Sequence, residues 1–96
     1  MELAIRAELR VQGYRSQQSK IRSFRLAAIE RPGWVSVYEF HVEAFDASQA
    51  AVALYGVARD DGRRKTTVQL YESVEQRDHQ RDAWAEGLIL APYLRR

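Results

Sequence analysis

Glu39, His41 and Glu43 are the nearest approach to a reactive cluster in this chain. Set two apart in an alternating segment, they project from one side of a strand, neighbours about 6.5–7 Å apart along it. An imidazole and two carboxylates can hold a divalent cation, but a zinc site needs three or four convergent ligands, and side chains in a row diverge. Arg6 or Arg10 on an adjacent strand gives the simpler arrangement, cross-strand ion pairs worth roughly 0.2–1 kcal/mol each. A wet, charge-paired strand face is therefore expected there. His79 stands among Arg77, Asp78, Arg81 and Asp82. The four-residue spacing pairs arginine with aspartate along an exposed helix surface, and no second ligand of the HExxH kind is within reach.

Other chemistry is thinly provided. None of the serines (16, 19, 23, 36, 48, 73) sits in a G-x-S-x-G elbow. The glycines at 13, 33, 56, 62 and 87 are scattered, so no phosphate-cradling loop forms. The absence of cysteine excludes a thiolate nucleophile, a disulfide and a zinc–thiolate site. These absences weigh against an enzyme, and no cofactor is implied. The densest basic triplet, Arg63-Arg64-Lys65, lies beside Asp60-Asp61. The acidic pair cancels much of its field within a Debye length of about 8 Å.

Charge is unevenly spread. The chain of 96 residues has a formal net charge of +2, yet its first 25 residues carry Arg6, Arg10, Arg15, Lys20, Arg22 and Arg25 against only Glu2 and Glu8. A basic first hairpin with Tyr14 and Phe24 interleaved suits a phosphate-facing surface through Arg6, Arg10 and Arg25. A solvated hairpin has the same appearance. No run of about 18 apolar residues is present to span a membrane, so a cytoplasmic protein is expected.

The elements that must position these groups follow from hydrophobic rhythm. Leu3, Ile5, Ala7, Leu9 and Val11 alternate with polar or small residues, which predicts a first strand. Residues 21–29 predict a second, with Phe24, Leu26 and Ala28 on one face and helix as its alternative. Arg31-Pro32-Gly33 suits a type II turn, and residues 34–45 a third strand. Asp46-Ala47-Ser48-Gln49 has the form of a capping box, and the alanines that follow predict a helix over 47–60. Its rival is a hairpin at Asp61-Gly62, which would pair 51–59 with 64–71 and close an all-β barrel. Residues 66–73 predict a strand. Ser73-Val74-Glu75-Gln76 opens a last helix to about residue 90, its first two turns in solvent and its end apolar.

The sum is one α+β domain over 1–96, ordered β-β-β-α-β-α, with both helices on one face of an antiparallel sheet. The other face is left open and carries Arg6, Glu8, Arg10, Glu39, His41 and Glu43; with Arg25, all of these except Glu8 form the candidate binding face. Trp84, Leu88 and Ile89 then seek a partner, because a chain this small has little core in which to hide them. The function expected is a small non-enzymatic binding module, homodimeric and open to a protein partner, working through the sheet face and the last helix. Two alternatives stand beside it: nucleic-acid binding by the basic first hairpin, and a small-ligand binder or enzyme with a cavity between sheet and helices.

Overall fold

The alternation of Leu3, Ile5, Ala7, Leu9 and Val11 is wound into a helix, α1 (Glu2–Val11), and not extended as a strand. A computed structural model describes residues 1–30, 34–63 and 65–94. The expected turn at Arg31-Pro32-Gly33, Arg64 of the basic triplet and the Arg95-Arg96 end lie outside the described residues. In α1, Ile5 and Leu9 are four apart and fully buried, while Leu3 and Val11 stand exposed on the opposite side. Perfect alternation thus divides into two helical stripes. Composition decides between the readings: Glu2, Leu3, Ala4, Arg6, Ala7, Glu8, Leu9 and Arg10 are all strong helix formers. Arg6 also pairs with Glu2 one turn earlier, at 3.1 Å.

A meander follows: β1 (Lys20–Ile29), β2 (Ser36–Phe45), β3 (Ala51–Asp60) and β4 (Thr66–Tyr71). Next come α2 (Val74–Ala85), a two-residue β5 (Ile89–Leu90) and a 3-10 turn at Pro92–Leu94. The sheet is open and antiparallel, in the order β4-β3-β2-β1-β5. The α+β class holds and no barrel closes, but the order of elements is corrected at the first and the fourth of the expected series. Residues 51–60 are a strand, so the expected helix over 47–60 is absent.

Two physical reasons explain that strand. The Asp46 carboxylate does accept a helix-like set of bonds, from the Ser48 and Ala50 N–H groups at 2.9 Å and the Ser48 hydroxyl at 2.7 Å. Gln49 then takes a φ of 66°, and Asp46 N–H bonds to Ala50 carbonyl, which reverses the chain into a hairpin. Asx chemistry serves a turn and an N-cap equally. Moreover β3 is paired on both sides and covered on both faces. A strand so placed reads as a nearly continuous apolar run, the pattern that resembled a helix. The rival turn at Asp61-Gly62 forms, with Gly62 at φ +73° and Asp61 Oδ1 accepting from the Arg63 and Lys65 N–H groups.

The Asp46 turn makes a pH-dependent contribution. The Ser48 hydroxyl and the Ala50 N–H hold this carboxyl below its ordinary value of 3.8. A folded pKa below the unfolded one means the stabilisation is complete above that ordinary value and is lost as pH falls through the folded one. Asp46→Ala is expected to lower the melting temperature most at neutral pH, the gap to wild type narrowing toward about pH 2. A gap constant across that range would show that another group holds the turn.

The helices lie on opposite faces of the sheet, a correction to the expectation of one. Side chains alternate along β2, so Phe40, Val42 and Ala44 join Leu54, Ala58, Val68 and Leu70 under Ile5 and Leu9 of α1. Val37 and Glu39 point the other way, toward α2; Val37 packs with Ala27, Ala28, Val57 and Ala85. The Ser73 cap forms as read, its hydroxyl accepting from Gln76 N–H at 3.1 Å. The helix ends earlier than expected, at Ala85, because Gly87 at φ +81° turns the chain back and Ile89 pairs with Ile29.

Candidate functional site

Glu39 is the one charged residue that is buried among the described residues. It is only 2 % exposed, on the α2 side of β2. Arg25, across the register on β1, donates to Glu39 Oε1 at 2.9 Å. Arg81 of α2 donates to Oε2 at 2.8 Å, and Arg77, one turn earlier, lies 4.0 Å from the same oxygen. Arg77 also donates to Phe40 carbonyl at 3.2 Å. Asp78 bonds both helix arginines, and Asp82 bonds Arg81. Burial works against the charge of Arg81, but the bonds to Glu39 and Asp82 and the nearby Asp78 outweigh it, and its pKa is raised.

Tyr93 completes this arrangement from the C-terminal segment. Its ring lies under the Arg25 guanidinium, 4.5 Å from charge to centroid, and its hydroxyl donates to Leu26 carbonyl. Burial, followed by the charge of Glu39, pushes its pKa up, against Arg25 and Arg81. Chemically the cluster is a clamp. Both Glu39 oxygens already accept from guanidinium groups, so the charge of this buried carboxylate is compensated within the fold. Among the described residues no group of three or more His, Asp or Glu side chains is disposed to hold a metal ion.

The expected face is dispersed by this architecture. Arg6 and Arg10 ride on α1 and bind the 15–19 turn: Arg6 donates to the Ser16 and Ser19 carbonyls, Arg10 to the Ser16 hydroxyl. Arg25 is committed to Glu39. They share no phosphate-facing surface. Glu39, His41 and Glu43 do share one side of β2, but Glu43 pairs with Arg22 at 3.3 Å and His41 stacks on Tyr55, centroids 5.2 Å apart. Trp84 and Leu88 are partly buried against their own sheet. Only Ile89 of the three expected partner contacts is exposed, at 38 %.

The exposed start expected for α2 is likewise corrected, since Arg77 and Arg81 face the sheet. Their four-residue spacing was the available signal, and it pointed equally to Asp78 and Asp82. What the rhythm did not reveal is the apolar strip that α1 leaves bare. α1 packs chiefly over β4, away from the β1 rim of that face. Phe24 and Leu26 stand there, 42 % and 38 % exposed, with Phe24 stacked on Tyr38 at 4.9 Å. Leu26, Ile29, Ile89 and Pro92 continue the strip as an apolar groove of about 540 Å³. A second cavity of about 610 Å³ lies beside Arg81, lined by Asp82, Ala85, Leu88 and Tyr93.

Among the described residues no helix is long and apolar enough to cross a membrane. The chain matches no family model, no curated protein and no solved structure.

Proposed function

We propose that the protein is a non-enzymatic interaction module, cytoplasmic and homodimeric, that meets a protein partner through the bare β1 half of its sheet. One observation carries this reading: Phe24, Leu26 and Ile89 form a continuous apolar strip, each more than a third exposed, on a face whose other half is capped by α1. Clustered apolar exposure on a small domain marks an interaction surface more often than scattered single residues do. The internal pairing of the polar cluster around Glu39 supports binding over catalysis by those groups. An aromatic platform of Phe24 and Tyr38 supplies the rigid contact area that dominates protein interfaces.

The test places a photoreactive amino acid at position 24 in cells. Irradiation is expected to yield covalent adducts with another polypeptide, while the same group at Glu75, on the solvent side of α2, yields none. No adduct at position 24 above the level at Glu75 would remove the bare strip as the working surface.

A further inference from the structure

The two rims of the sheet are treated differently by the sequence. On the β1 side, register shifts interrupt the strand, Ser23 takes a φ of 52°, and Lys20, Arg22 and Arg25 line it. β5 and the Tyr93 hydroxyl occupy the rest of that rim. Bulges, charges and covering segments are the devices by which proteins prevent strand addition. β4, at the opposite rim, has neither bulge nor charge, and although α1 and α2 pack on its faces, no described strand pairs with its outer edge. Thr66-Thr67-Val68-Gln69-Leu70-Tyr71 is regular, uncharged, free of proline and rich in strand-forming types.

Its free backbone groups can be assigned. Asp61 N–H donates to Lys65 carbonyl at 3.1 Å, which fixes the alternation of the hairpin. Thr67, Gln69 and Tyr71 therefore turn their backbone groups toward β3, and Thr66, Val68 and Leu70 turn theirs outward. No described residue bonds to those outward groups.

We infer that β4 is the two-fold contact of the homodimer, pairing antiparallel with β4 of a second copy into one continuous ten-stranded sheet. This rests on the homodimer proposed above and names its interface, leaving the Phe24 strip for a different protein. A two-fold axis at Val68 sets Val68 opposite itself and Thr66 opposite Leu70, satisfying the outward groups with about six backbone hydrogen bonds. On the other side of the sheet Thr67 meets Gln69. The axis brings no like charges together, and it sets Lys65, at the start of one strand, opposite Tyr71 at the end of the other. The occupant is thus a second copy, because the strand is self-complementary in backbone and sets no like charges against each other across the axis.

The experiment is a charge swap across that axis, read by sedimentation equilibrium at micromolar concentration. Wild type is expected at twice the chain mass of 11.1 kDa. Thr67→Lys with Gln69→Lys sets lysine opposite lysine twice and is expected to weaken the dimer at least about tenfold, as is Thr67→Glu with Gln69→Glu. Mixing the two variants is expected to restore a dimer, now with lysine opposite glutamate, which misfolded chains would not do. Two variants that each dimerise like wild type would overturn the β4 assignment while the dimer stands, and two that fail to associate on mixing would overturn it equally. A monomeric wild type would sink the homodimer itself.

Discussion

Glu39→Ala is expected to lower the free energy of unfolding by about 1–3 kcal/mol, measured by urea denaturation, because it takes the buried acceptor from Arg81 and Arg77 and leaves them only Asp78 and Asp82. Arg77 and Arg81 are the groups that suffer, their side chains only 12 % and 13 % exposed. Arg25 contributes much less. Its side chain is 56 % exposed, so Arg25→Ala is expected to cost about 0–1 kcal/mol. Replacing the whole group by apolar residues of similar size, Glu39→Leu with Arg77→Met and Arg81→Met, is expected to recover most of the loss. A cost below about 1 kcal/mol for Glu39→Ala would mean that α2 lifts and hydrates its arginines. The clamp would then not be what seats the helix.

The second large effect lies on the other face of β2. A Cβ built at Gly56 would stand 2.2 Å from two atoms of the Phe40 ring and 2.8 Å from a third. The ring is buried, stacked beneath Phe24 at 6.2 Å and packed in the cluster under α1, so it has little freedom to step aside. Gly56→Ala is expected to destabilise by about 3 kcal/mol, the upper end of the usual overpacking range. Phe40→Leu in the same chain makes room, and the double variant is expected to lie well above the sum of its parts in a denaturation cycle. Additivity within about 0.5 kcal/mol would show that the strands part to admit the methyl group.

How much of this was legible in the sequence is seen best at three residues. Ser73 was read as a helix cap and is one, since Gln76 follows it and nothing else competes for its hydroxyl. Asp46 makes the bonds of a cap and yet turns a hairpin. Its local chemistry fits both outcomes, and only the double-sided pairing of residues 51–60 decides between them. Leu3 to Val11 alternate like a strand, but alternation is also compatible with two opposed helical stripes, and helix-forming residues tip the balance. Glu39 lies on a strand as expected, but the face expected to be wet is covered there by α2, which buries it. Its partners were misjudged because Arg77 and Arg81 come from a helix that crosses the sheet, a relation that no local spacing encodes.

The order of the strands has a kinetic consequence. Every neighbour pair from β1 to β4 is also consecutive along the chain. Three hairpins can zip one after another, each closing only a short loop, which is the topology of rapid assembly. The return of residues 89–91 to β1 is the opposite case, joining segments some sixty residues apart in sequence. That stitch gains nothing until the meander exists to receive it, so it falls late in folding and is the first to slip when the molecule breathes.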